Sequence, residues 1–334
     1  MSGVNILSAD ADSPMNCNRQ MKLIRGLHNL RQTLPACAVT IGNFDGIHLG
    51  HQHVLSQLTA AAKRLGLPSA VIIFEPQPIE FFAPEKAPKR LTRFREKINY
   101  LRTHDIDYLL CLKFDQKLAR LEPEAFVKTI LLDGMNTKYL LIGDDFRFGK
   151  KRAGDFHLLQ DFGKRFGFAV ENSDTLLIDN TRVSSTRIRE CMQNDDFEQA
   201  EKLLGRPYTL SGKVAHGKKL GRQLGYPTIN IKMGDKTLIV KGIFAVRVKG
   251  IDNRELQGVA SIGTRPTVNG VDTILEVYIL DFDQDVYGYC VDVEFLHKIR
   301  DEEKFDSLDE LTRHIENDIN KAKTYFATQV ACGN

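Results

Sequence analysis

Residues 36–58 read ACAVTIGNFDGIHLGHQHVLSQL, and the fold turns on this stretch. Ala36 to Ile41 is a short apolar run of the kind buried in a sheet. Gly42, Gly46 and Gly50 punctuate a turn. Val54, Leu55 and Leu58 then recur at helical spacing, so one face of a helix meets a core. His48 and His51 flank Gly50 at the strand-to-helix junction. The first N–H groups of a helix have no intrahelical partner and favour anions, and glycine lets a phosphate approach the chain. Imidazoles so placed can donate hydrogen bonds to the charge that develops when phosphorus is attacked. The plainer alternative is a βα turn with two surface histidines, against which the flanking Gly42-Asn43-Phe44-Asp45-Gly46 weighs.

Outward from this stretch the same grammar repeats. From Met21 to Gly205 the strand candidates are Ala36–Ile41, Ala70–Phe74, Tyr108–Phe114, Tyr139–Ile142 and Phe168–Val170. Amphipathic stretches separate them: Gln52–Leu65, Arg93–Thr103, Pro123–Leu132 and Leu158–Phe166. Strand–helix alternation predicts an α/β domain with a doubly wound parallel sheet, whose ligands bind past the carboxyl ends of the strands. Short helices at Thr186–Met192 and Asp196–Leu204 close it. After Gly205-Arg206-Pro207 the period becomes two. The runs Tyr208–Ala215, Gly242–Val248, Leu256–Ile262, Thr273–Ile279 and Gly288–Phe295, parted by Gly, Asn and Asp, predict a closed antiparallel β-barrel. Leu308, Leu311, Ile315 and Ile319 place a terminal helix over Ser307–Ala327. The expected domains are 21–205 and 206–330, and residues 1–20 read as a disordered leader or an over-long start before Met21.

At 334 residues the chain can build two cores. A net charge of +3 gives no global field for nucleic acid, and no apolar run has the length of a membrane span. Six cysteines without a C-x-x-C pair suit reduced core residues of a cytoplasmic protein. Oligomeric state is not written in such features.

Other clusters punctuate the chain. Phe74-Glu75-Pro76-Gln77-Pro78 ends the second strand on the same rim as the histidines; Phe74, Phe81 and Phe82 either stack on a planar ligand or plug the core. The run 143–152, GDDFRFGKKR, mixes Asp145, Phe146 and Phe148 with bases, which suits a phosphate-bearing aromatic ligand or a solvated surface. In Arg182-Val183-Ser184-Ser185-Thr186-Arg187-Ile188-Arg189, hydroxyls lead into a helix start. A cap needs no arginines, so phosphate binding is the better account.

In the second half Gly212–Lys219 imitates a P-loop but puts Lys219 where a hydroxyl should hold magnesium, and no helix follows. Gly217, Lys218 and Gly221 can still form a flap over phosphates. In 225–230, GYPTIN, Thr228 and Asn230 point the same way and offer hard oxygens to Mg²⁺. Glu276 interrupts the apolar strand 274–280, where it is either a general base or a rim carboxylate with a basic partner.

The order of these clusters resembles the bacterial bifunctional riboflavin kinase/FMN adenylyltransferases, beginning with the HxGH turn of nucleotidyltransferases. The motifs GNFDGIHLGH, FEPQP, GDDFRFG, SSTRIR, GYPTIN, KGIFAV, SIGTRPT and LEVYILDFD carry the likeness over about residues 21–330. Many members have His where Gln77 stands and Ala where Ile229 stands. The resemblance implies a Rossmann-like N-terminal domain that transfers AMP from ATP to FMN, with release of pyrophosphate. There His48 and His51 would steady ATP with Asn43, Asp45 and Gly50, while Arg182, Ser184, Ser185, Thr186 and Arg189 would clamp it. Phe74, Asp145, Phe146 and Phe148 would lie by the flavin. The C-terminal domain would phosphorylate riboflavin: Gly217, Lys218 and Gly221 over ATP, Thr228 and Asn230 on Mg²⁺, Glu276 as base. Rival readings are a nucleotidyltransferase with another acceptor, or a non-catalytic flavin- or nucleotide-sensing protein.

Overall fold

In the computed structural model the described residues are 21–30, 34–143, 145–217, 221, 224–234, 238–252, 254–267 and 270–332, without side chains at 264–267, 270–272 and 330–332. The first domain runs β1 (Lys22–Arg25), β2 (Cys37–Ile41), α1 (Leu49–Leu65), β3 (Ser69–Glu75), α2 (Phe94–Arg102), β4 (Tyr108–Lys113), β5 (Thr137–Ile142), α3 (Phe156–Phe166) and β6 (Ala169–Asn172). A small hairpin of β7 (Leu177–Ile178) and β8 (Thr181–Arg182) comes next, then α4 (Ser185–Gln193) and α5 (Phe197–Leu204).

Every residue of β2 is buried, and so is every residue of β3 except the half-buried Glu75 at its end. Strands covered on both faces read as unbroken apolar runs, which is why these two were legible. All six strands are parallel, in the order β1-β4-β3-β2-β5-β6. The chain winds outward from β2 in one direction and from β5 in the other. The loops after β2 and β5 therefore part company, and the crevice between them is where such sheets take ligands. Edge strand β1 was not foreseen, because four residues with one buried position carry almost no periodicity. The helix expected over Pro123–Leu132 is instead an α-turn at Pro123–Phe126 continued as a π-helix, Val127–Leu132.

The second domain is a closed six-stranded barrel of β9 (Tyr208–Ala215), β10 (Thr228–Gly234), β11 (Gly242–Ile251), β12 (Arg254–Thr267), β13 (Gly270–Ile279) and β14 (Cys290–Arg300), in the order β10-β13-β12-β11-β14-β9. Pairing of Asn230 with Ala215 and Ile231 with Val214 closes it. Helix α6 (Leu308–Cys332) lays Ile319, Ala322 and Phe326 on Ile243, Ala245 and Val259 of the wall. Gly205 ends α5 in the left-handed conformation, but the junction beyond it is no loose linker. One apolar core runs from Leu91, Ile188 and Leu204 into Tyr208, Leu210 and Phe244 of the barrel.

Candidate active sites

The first cleft lies at the switch point of the sheet, about 740 Å³ in volume, with walls from the β2–α1 turn, the ends of β3 and β5, and the start of α4. His48 is the N-cap of α1 and is nearly buried. Its Nδ1 accepts the His51 backbone N–H at 3.3 Å, so a neutral His48 carries its proton on Nε2 and remains a donor. The two imidazoles stack with centroids 3.7 Å apart. Burial, then the neighbouring Arg206, Arg189 and Arg182, pushes His48 from 6.5 down to about 4. Burial likewise holds His51 well below its ordinary value, helped by His48 and Lys97. Near neutral pH both rings are therefore uncharged donors.

Helix α4 brings a second N-terminus to the same cleft. Ser184 caps it by accepting the Arg187 N–H at 3.2 Å, and the Ser185 hydroxyl donates to the Asp45 carbonyl at 2.8 Å. Gly50 is where the two helix starts meet: a Cβ there would stand 3.2 Å from both the His48 ring and the Val183 carbonyl. Thr186 and Arg182 are exposed on the rim, and Arg182 reaches Asp145 at 3.3 Å.

The second site is in the barrel. Across the wall Asn230 pairs with Glu276 and Glu276 with Ser261, a row of three polar residues on adjacent strands. They line a cavity with Gly221, Tyr226, Thr228, Tyr278, Arg300 and Asp318, roofed by α6. Thr228 also faces a neighbouring pocket formed with Phe282, Asp285 and Tyr287. Asn230 donates a long 3.4 Å bond through Nδ2 to the Thr228 carbonyl. Two neutral oxygens with a carboxylate in the next strand fit a magnesium ion that arrives on a phosphate, since Mg²⁺ keeps water and needs few protein ligands.

With both sites in view, residues 30–187 match the FAD synthetase family model and residues 204–326 the riboflavin kinase model. A bifunctional riboflavin kinase/FMN adenylyltransferase from Haemophilus influenzae is 49% identical, over 92% of this chain and 99% of that one. Its namesake from Escherichia coli is 46% identical over 92% and 98% of the two chains. The chain belongs to the bifunctional riboflavin kinase/FMN adenylyltransferase family. Among solved structures, a Streptococcus pneumoniae protein described as a macrolide-efflux protein superposes with a TM-score of 0.75 at 30% identity, over 91% of this chain and 98% of that one. Among the described residues here, no helix is long and apolar enough to cross a membrane.

Within this family fold most of the expected residues come together. Asn43, Asp45, His48, Gly50, His51, Phe74, Asp145, Phe146, Arg182, Ser184, Ser185, Thr186 and Arg189 all line the first cleft, and Gly221, Thr228, Asn230 and Glu276 the barrel cavity. Gly217 packs directly on Asn230. Lys218 lies outside the described residues, as does the leader 1–20. One expectation needs correction, and one residue has partners that were not expected. The Phe148 ring sits in the sheet core against Phe126 and under Gly154 rather than in the cleft, because a backbone bridge to Gly154 turns it inward. The Asp45 carboxylate is buried, accepts from the Leu91 and Thr92 amides at 3.1 Å, and pairs with Arg189. Asp45 thus lines the cleft with its carboxylate already engaged by Arg189 and two backbone amides.

Gln77 stands where many family members have His. Its side chain is buried at the cleft wall, and among the described residues Nε2 has no hydrogen-bond partner. Ser261 opens the SIGTRPT motif and Arg206 lies in the Gly205-Arg206-Pro207 junction, yet neither is singled out as a site residue by sequence, because the partners that give them a role are distant in the chain.

Proposed function

We propose that the chain converts riboflavin to FMN in the barrel and FMN to FAD in the first cleft, with ATP as the co-substrate of both steps. In the cleft an oxygen of the FMN phosphate attacks the α-phosphorus of ATP, and the bond to the pyrophosphate oxygen breaks. Neutral His48 donates from Nε2 to the phosphate oxygens that gain charge, with His51 stacked behind it. The N–H groups opening α1 and α4 approach the same anion from two sides, and Thr186 and Arg182 hold its outer phosphates. Phe74, Phe146 and Asp145 give the flavin its wall.

In the barrel the ribityl 5′-hydroxyl attacks the γ-phosphorus, the bond to the ADP oxygen breaks, and Glu276 takes the hydroxyl proton. Asn230 and Ser261 flank Glu276 and orient the hydroxyl. Thr228 and Asn230 would hold Mg²⁺, which when bound neutralises phosphate charge. Positioning and charge neutralisation supply most of the acceleration in such transfers. The nucleotide takes the pocket on the far side of Thr228, so ATP and vitamin meet at that residue. We place the protein in the cytoplasm, where thiols such as those of Cys37 and Cys111 stay reduced, acting on small molecules rather than on nucleic acid or membrane.

One observation carries this reading: the histidine pair and the Asn230–Glu276–Ser261 row occupy separate clefts in separate domains, each suited to a different attack on ATP. The test is purified protein with riboflavin, ATP and Mg²⁺, products separated over time. FMN then FAD should accumulate. Glu276→Gln should slow FMN formation by ~100-fold, the usual loss of a general base, yet still adenylylate supplied FMN. His48→Ala should stop at FMN. A protein that forms neither product defeats the proposal.

A further inference from the structure

The turn that presents His48 is bent against its own preferences. Phe44, Gly46 and Ile47 have φ of 46°, 89° and 41°, and a β-branched residue such as Ile47 is an outlier in that left-handed region. Gly46 adopts its angle freely, but the conformations of Phe44 and Ile47 persist only where the surroundings hold them. The holding groups can be named. Lys97, fully buried in α2, donates from Nζ to the Asn43 carbonyl at 2.6 Å. Thr92 accepts the Gly46 N–H at 3.1 Å, and Gln52 donates to the Ile47 carbonyl at 2.9 Å. The remaining grip comes from outside the domain. Arg206, beyond α5 at the head of the barrel domain, donates from Nη2 to the Gly46 carbonyl at 2.7 Å and from Nη1 to the Ile47 and Leu204 carbonyls at 3.2 and 3.3 Å. Its guanidinium lies over Tyr100 of α2, 3.8 Å from the ring centre.

We infer that Arg206 is a positioning residue for adenylyl transfer: from the interdomain junction it clamps the strained Gly46–Ile47 corner and so sets where His48 and the N-terminus of α1 stand in the cleft. The arrangement needs an arginine. A planar fork can serve several carbonyls and stack on a ring at once, whereas an ammonium is a point charge on a flexible stem. It also makes the first reaction depend on the junction with the second domain. The inference rests on the assignment of the cleft to FAD formation.

The test uses the full chain with Arg206→Lys and Arg206→Gln, assaying riboflavin phosphorylation and adenylylation of supplied FMN separately. Both variants should lose at least ~10-fold in kcat for FAD formation, because small misplacements near the reacting atoms are expensive. Riboflavin phosphorylation should stay within twofold, reporting that the chain is folded. A second readout is the pH profile. His48 is faced by Arg206 at the junction, Arg182 and Arg189 around α4, and His51 on its own helix. Removing one of these cations should move the acid limb of FAD formation to higher pH in Arg206→Gln and leave it in place in Arg206→Lys. The inference is overturned if both variants keep wild-type FAD formation, or if both reactions fall together with an unmoved limb, which would make Arg206 only a structural strut. If instead the unaltered protein forms no FAD from FMN and ATP, the cleft assignment fails first and the inference with it.

Discussion

Gly217 stands so close to Asn230 that a Cβ on it would lie 2.4 Å from the Asn230 amide carbon and 2.5 Å from both the nitrogen and the oxygen. The chain just past β9 therefore presses on the side chain proposed to meet magnesium, and only a residue without a side chain fits. Gly217→Ala must push Asn230 out of its rotamer. Riboflavin phosphorylation should fall by ~10-fold or more, by the sensitivity of catalysis to ångström displacements, while adenylylation of supplied FMN is unchanged. Parallel assays of the two reactions check this, and a fully active kinase would remove Asn230 from the site.

His48 links stability to pH. Its imidazole is held neutral down to about 4, whereas in the unfolded chain it protonates near 6.5. On acidification the unfolded state therefore takes up the proton first, and stability is lost as pH falls from about 6.5 to about 4. At ~1.4 kcal/mol per pH unit the loss from this group is at most about 3 kcal/mol. Denaturant melts at pH 7, 5 and 4 should show a shallower decline for His48→Asn, which retains a capping acceptor. Equal slopes for both proteins would mean that His48 titrates normally.

Gln77 buries an amide donor at the cleft wall. An unpaired buried donor costs about 1–3 kcal/mol, so Gln77→Leu, similar in volume, should leave thermal stability unchanged or raise it. The same change should raise KM in FAD formation several-fold if the donor serves FMN or ATP. An unaltered KM would show that the group faces neither substrate.

Arg300 and Asp318 tie the barrel to its terminal helix, with Arg300 donating to both oxygens of the nearly buried carboxylate at 2.8–3.1 Å. Arg300 keeps Glu303 at 3.6 Å as a second carboxylate, so deleting Asp318 costs a charged hydrogen-bond partner, about 1.5–3 kcal/mol, rather than leaving a stranded charge. Asp318→Ala should be destabilised by that amount in chemical denaturation and should lose riboflavin phosphorylation, because both residues also line the cavity. A loss below ~1 kcal/mol, the range of an exposed pair, would show that water replaces the carboxylate.

The helices were legible because their caps and stripes are local. Gly66 stops α1 and Gly205 stops α5, both in the left-handed conformation, and the buried Leu55, Leu58, Ala61 and Ala62 repeat at helical spacing. The two-residue spacing of Thr228 and Asn230 puts them on one face of an extended segment, and the ladder with Tyr278 and Glu276 makes that segment β10. Phe148 misled because an aromatic beside a basic loop has the same composition whether it stacks on a ligand or plugs a core. The partners of Asp45 are hidden for a similar reason: the amides of Leu91 and Thr92 that donate to it lie 46 and 47 residues away.

By itself the sequence determined the alternation of strand and helix, the change to period two after Pro207, and the kinds of side chain at each turn, since burial periodicity and φ preference are properties of near neighbours. The tertiary structure alone decided which of those side chains meet. Glu276 finds Asn230 and Ser261 only when the barrel closes. Arg206 reaches a carbonyl 160 residues earlier only when the two domains share a core. Such contacts depend on how whole elements pack, and no local pattern encodes the distance between them.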